Sequence, residues 1–151
     1  MSTVGDGIGS RKFHVRIQSD PANLAPTRRA VEAFAVECGL GEGAAHDVGL
    51  CLNEAMANVM RHAYGGRKDR PIEITAEYSA NGGGLLTVQM RDWGNGIDPS
   101  TLPREPYNPL TPGGVGLICL DALLDKMVYS PQPDGMLATL VKKKRDDGDS
   151  G

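Results

Sequence analysis

The sequence predicts a two-layer α/β sandwich, a mixed and mostly antiparallel sheet with three helices on one face, and three observations lead there. Short stretches of alternating apolar and polar residues come in pairs, 72–78 with 85–90 and 128–129 with 136–141. Each pair is joined by turn chemistry, Gly82-Gly83-Gly84 in the first and Pro131 with Asp134-Gly135 in the second. Two intervening stretches repeat apolar residues at helical spacing. The resulting order is strand, helix, helix, strand, strand, loop, helix, strand, strand. Hairpin-joined strands pair antiparallel and leave one sheet face for the helices to cover.

The elements follow in order. Residues 1–10 carry glycines at 5, 7 and 9 and little hydrophobicity, which predicts a flexible lead-in. Residues 12–17 alternate as a half-buried strand, and Asp20-Pro21 turns the chain. Ala30, Val31, Phe34, Ala35 and Cys38 mark the inward stripe of a helix over 24–38, which Gly39, Gly41 and Gly43 end. Val48, Cys51, Leu52, Ala55 and Val59 mark a second helix over 44–64, ended by Gly65-Gly66. The first strand pair comes next. Residues 92–113, rich in proline and glycine, read as an irregular loop before a third helix over 115–124. The second pair closes the domain. The basic run at 142–145 and the acidic residues after it read as solvated chain. The expected division is a flexible segment over 1–10, one domain over 11–144 and a flexible tail over 145–151.

Composition narrows the function. There are 16 basic and 19 acidic residues in 151, a formal charge of -3, which does not suggest direct nucleic-acid binding. The first residues hold no apolar signal-peptide core, and no run nears the roughly 18 apolar residues of a membrane span. Cys38, Cys51 and Cys119 are odd in number, form no CxxC pair and sit in apolar stretches, as reduced core thiols do. A cytoplasmic protein with no membrane association is expected. Glycine is in excess, 20 residues or about twice the usual ~7%.

Three separated segments carry candidate chemistry. Glu54, Asn58 and His62 recur every four residues, one polar stripe on a helix that is otherwise apolar on its inner side. A solvated face explains most such stripes, but asparagine is a poor interior helix residue. Asp92-Trp93-Gly94-Asn95-Gly96-Ile97 ends an apolar strand. Its carboxylate can accept from an exocyclic amine such as that of adenine, and its alternate glycines let backbone approach a planar ring. An ordinary turn has the same composition. Gly113-Gly114-Val115-Gly116-Leu117-Ile118 opens a predicted helix, where free N–H groups and the positive dipole end favour a phosphate. It is not a Walker loop, since no GK[ST] follows, nor a dinucleotide fingerprint, since no strand immediately precedes it.

Taken in order, the three segments resemble the N, G1 and G2 boxes of the GHKL ATPase superfamily, and within it the chain is most similar to bacterial anti-sigma-factor serine/threonine kinases. The similarity runs from about Phe13 to Lys143 and includes the N box ending His62-Ala63-Tyr64-Gly65-Gly66. It implies a Bergerat-type ATP-binding fold with ATP and Mg²⁺ as cofactors. It implies Glu54 as general base toward a serine hydroxyl, Asn58 as the Mg²⁺ ligand and Asp92 as the adenine-amine acceptor. Gly94, Gly96 and Ile97 would flank the base, and Gly114, Gly116 and Leu117 would meet the phosphates. His62 has two readings, closing the helix end or touching ATP. Arg104, in the lid, is either a γ-phosphate contact or a solvated loop residue. The implied partners are a STAS-type antagonist protein, which is phosphorylated, a sigma factor, which is sequestered, and a second copy in a homodimer. The alternative is a non-catalytic ATP-binding module that regulates by binding alone. One departure stands out: relatives often carry threonine after the glycine of the last hairpin, where this chain has Met136, and Thr139 falls on the opposite strand face.

Overall fold

In the computed structural model, which describes residues 2–5, 10–94 and 123–144, six strands form one sheet in the order β1-β2-β3-β4-β6-β5. They are β1 (Ser2–Gly5), β2 (Ser10–Gln18), β3 (Pro71–Ser79), β4 (Leu85–Asp92), β5 (Lys126–Gln132) and β6 (Gly135–Lys143). All pairings among the described residues are antiparallel. Two helices, α1 (Leu24–Glu37) and α2 (Glu42–Asn58), fill the connection between β2 and β3. No helix among the described residues is long and apolar enough to cross a membrane.

Local chemistry accounts for the helix boundaries. Asp20 accepts from the Ala22 amide at 3.0 Å and, with Pro21, starts a short 3₁₀ turn that feeds α1. At the other end the Leu40 amide reaches back to the Ala35 carbonyl at 3.0 Å around Gly39, closing the helix on a left-handed glycine. Helix α2 does not end as an α-helix. It widens into a π turn over Val59–Ala63, closed by the Tyr64 amide on the Val59 carbonyl at 2.9 Å.

The core lies between the helices and one face of the sheet. Val31, Phe34 and Ala35 of α1 and Val48, Cys51, Leu52 and Met56 of α2 meet Phe13, Ile72, Ile74, Ala76, Val88, Met90, Ala138 and Leu140 from the strands. The strand residues alternate, as period-2 patterning requires. Each fully buried Leu, Ile or Met there stabilises by about 1.5–3 kcal/mol through lost water contact.

Two expectations are corrected. Residues 2–5, read as part of a flexible lead-in, form an edge strand along 11–14 of β2. Lys142, read as solvated, is buried. It follows Met136, Ala138 and Leu140 on the helix-facing side of β6, and its ammonium reaches the Leu123 carbonyl at 2.5 Å and Asp47 at 3.7 Å. The predicted third helix lies outside the described residues except for its last two positions, Leu123 and Leu124.

Candidate nucleotide site

The end of β4 meets the π turn that closes the long helix. Glu54 and Asn58 sit on the last turns of α2, both half-buried. Asp92 is the last residue of β4, and it is fully buried on the helix-facing side of the sheet. Gly94 follows, pressed against the helix end. A Cβ there would lie 2.7 Å from the Cβ of Ala63 and 2.8 Å from its carbonyl oxygen, so only glycine lets the loop pass.

Tyr64 fastens this junction. Its hydroxyl donates to the Pro71 carbonyl at 2.5 Å and accepts from the Trp93 amide at 2.8 Å. Helix end, start of β3 and end of β4 are thus tied through one phenol. Burial pushes its pKa up, only partly offset by the Trp93 amide.

The carboxylate of Asp92 is unevenly satisfied. Oδ1 accepts from the Gly94 amide at 3.0 Å, while Oδ2 is buried with no hydrogen-bond partner among the described residues. Burial raises the pKa of Asp92, against the opposing pull of the Gly94 amide, the Arg91 guanidinium and the Met136 amide. A buried acceptor without a donor is costly, by about 1–3 kcal/mol, and is the kind of group a ligand amine can satisfy.

The last hairpin closes the other flank. Met136 pairs with Asp92 across β4 and β6, and its side chain is buried on the same face. Gly135 lies so close to the Asp92 carbonyl that a Cβ would collide with it. Thr139 pairs with Gln89 and Val128 on the open face of the sheet, so its hydroxyl is turned away from Asp92.

On that open face Arg91 binds both the Asp92 carbonyl and Asp134. Its guanidinium also lies 4.7 Å from the centroid of Trp93, with that of Arg16 at 5.3 Å. A cleft of about 320 Å³ runs along the junction, lined by His62, Tyr64, Arg67, Arg70, Trp93 and Gly94. His62, the third residue of the polar stripe, is exposed on its wall.

Of the residues singled out from sequence, His62 and Gly94 line this cleft, Asp92 ends β4 just before Gly94, and Glu54 and Asn58 lie further back on α2. Gly96, Ile97, Arg104, Gly114, Gly116 and Leu117 lie outside the described residues. Spacing alone does not single out Arg61, whose Nη2 donates to Oδ1 of Asn58 at 2.8 Å, or Tyr64. Arg61 looked like any exposed helix cation. Tyr64 was quoted within the N box, but nothing in its neighbours signalled a hydroxyl that joins three elements.

The donor set suits a nucleotide. Oδ2 of Asp92 is an acceptor of the right kind for an exocyclic amine, and the amide oxygen of Asn58 is a hard ligand of the kind Mg²⁺ takes alongside phosphates and waters.

Comparison with known proteins agrees. Residues 17–142 match the family model described as the histidine kinase-like ATPase domain. The chain is 26% identical over 141 residues to a protein named anti-sigma F factor from Clostridium beijerinckii, covering 91% of this chain and 96% of that one. It is 26% identical over 144 residues to the serine-protein kinase RsbW of Listeria monocytogenes, covering 89% and 90%. Among solved structures, the RsbU and RsbW domains of a Mycobacterium tuberculosis protein superpose with a TM-score of 0.64 at 17% identity. That match covers 87% of this chain and 32% of the other, so this chain spans about a third of it. The histidine kinase domain of a blue-light activated kinase from Erythrobacter litoralis gives 0.50 at 18% identity, covering 82% and 60%. With its family model matched over most of its length and its fold shared with these structures, the chain belongs to the histidine kinase-like ATPase domain family, the GHKL group.

Proposed function

We propose that the chain is an ATP-dependent serine protein kinase and anti-sigma factor. It binds Mg-ATP, phosphorylates a serine of a STAS-type antagonist protein, and sequesters a sigma factor. Membership of the ATPase family and relatives named anti-sigma F factor and serine-protein kinase support the general role. The observation that supports it furthest is the buried Oδ2 of Asp92, which has no hydrogen-bond partner among the described residues.

In this reading Asp92 receives the adenine amine, and Asn58 holds the metal through its amide oxygen. Mg²⁺, when bound, neutralises triphosphate charge. Glu54, one helical turn before Asn58, takes the proton from the attacking serine hydroxyl. The serine Oγ–P bond forms as the bond from the γ-phosphorus to the bridging oxygen breaks, and ADP leaves. Positioning and charge neutralisation do most of the work in such a transfer, so one base, one metal ligand and backbone donors suffice. His62 lines the cleft wall.

The test is direct. Purified protein, a STAS-type antagonist encoded beside it and Mg-ATP are combined, and the antagonist is followed by intact-mass spectrometry. A gain of one phosphate on serine is expected. Tight ATP binding with no phosphate on any neighbouring antagonist would overturn the kinase reading in favour of a module that regulates by binding alone.

A further inference from the structure

We propose that Arg61 is a latch on the metal-ligating atom of Asn58, held closed in the nucleotide-free protein and displaced when Mg²⁺ enters with the nucleotide. This rests on the assignment of Asn58 as the metal ligand made above. Nη2 of Arg61 lies 2.8 Å from Oδ1 of Asn58. An asparagine side chain has one oxygen, the only atom of the amide that can ligate a cation, and here a guanidinium donates to one of its two lone pairs. Mg²⁺ demands the same oxygen at close range and near-ideal octahedral geometry. A monovalent and a divalent cation on one oxygen repel each other strongly at such separations. Charge repulsion at this one oxygen therefore favours release of the guanidinium when the metal binds.

The backbone sets this contact and keeps its release local. Arg61 sits in the π turn over Val59–Ala63, three residues after Asn58. π turns inside helices recur at functional sites, where the widened turn re-aims side chains. Further along, the end of the turn is clamped by the Gly94 approach to Ala63 and by the Tyr64 hydroxyl. Sliding of the helix is blocked on that side. The Arg61 side chain is exposed, so it can rotate off Asn58 without disturbing the core. Once released it remains beside Asn58, where its charge favours a triphosphate.

The consequence is a competition between two cations for one ligand. With Arg61 closed, the site carries a positive charge even without metal, so free ATP is held. The metal must then compete with an existing hydrogen bond. The latch raises the Mg²⁺ concentration at which the metal-bound complex forms.

The experiment is a Mg²⁺ titration, from EDTA upward, of radiolabelled ATP binding by equilibrium dialysis, on wild type, Arg61→Ala and Arg61→Gln. The latch predicts that both variants shift the Mg²⁺ midpoint about three- to tenfold lower, the size of one hydrogen bond of modest net strength. It also predicts weaker ATP binding in EDTA. An unmoved or higher midpoint in variants that still bind ATP would overturn the latch alone. Absence of ATP binding by wild type at every Mg²⁺ concentration would overturn the nucleotide reading on which it rests. Circular dichroism melting of both variants establishes that each is folded, and Arg61→Gln, which keeps a polar chain of moderate length, stands in if Arg61→Ala is unstable.

Discussion

Asp92→Asn is expected to raise the melting temperature of the ligand-free protein while lowering its affinity for ATP about 10- to 100-fold. The two effects have one origin. In the folded protein the Asp92 carboxylate is buried and one of its oxygens has no partner among the described residues. Burial raises its pKa above that of the unfolded chain, where aspartate titrates near ~3.9. Between those two values the folded state binds more protons than the unfolded state, and stability falls as pH rises. Above the raised value the penalty is fully present, and it is relieved as pH falls. Asparagine keeps an oxygen for the Gly94 amide and removes the buried charge. A gain on the order of 1 kcal/mol follows, or roughly 2–8 °C for a domain of this size. The same change replaces a charged acceptor by an amide and forfeits a hydrogen bond worth about 1.5–3 kcal/mol to the adenine amine. Thermal melts from acid to neutral pH should show the variant's advantage growing as pH rises. A variant that is less stable and binds ATP normally would remove Asp92 from the site.

Glu54→Gln is expected to slow phosphate transfer by about 10²- to 10⁴-fold, the range a positioned general base contributes. ATP affinity should stay within roughly threefold, since glutamine keeps the volume and polarity of the side chain and Glu54 is not the group assigned to adenine or metal. The measurement is single-turnover transfer to the antagonist, with ATP binding determined separately. A parallel loss of both would make Glu54 part of nucleotide binding. Unchanged transfer would deny it the role of base.

Much of this fold was legible because its patterns are local. Ile72, Ile74 and Ala76 alternate, Val31, Phe34 and Ala35 recur at helical spacing, and Gly39 sits where a left-handed residue ends α1. What escaped depends on partners distant in sequence. Residues 2–5 have no strand pattern of their own and owe their extension to pairing with β2. Val59–Ala63 keeps an ordinary helical apolar spacing, so nothing local announces a π turn. Lys142 sits in a basic run that looks solvated, although the period-2 register through Met136, Ala138 and Leu140 turns it inward.

The candidate site was legible in a similar, partial way. The spacing of Glu54 and Asn58 and the position of Asp92 at a strand end pointed to one place; the first two lie on the last turns of α2, and Asp92 ends β4. Gly94 has a packing reason that its spacing did not show. Sequence reading assigned it to the approach of a planar base, whereas its missing Cβ makes room for Ala63. Arg61 was passed over because a hydrogen bond to Asn58 three residues earlier leaves no mark in composition.

In the proposed reading a purine amine is received by Oδ2 of Asp92, which has no partner among the described residues, and comparative titration of the wild-type protein with ATP and inosine triphosphate measures that contact. The two nucleotides share ribose and triphosphate, but inosine carries a carbonyl oxygen where adenine has its amine. Calorimetry with Mg²⁺ present should give ATP binding about 10- to 100-fold tighter, since the carbonyl would face a carboxylate oxygen in place of donating to it. Equal affinities for the two, or binding of neither, would contradict it.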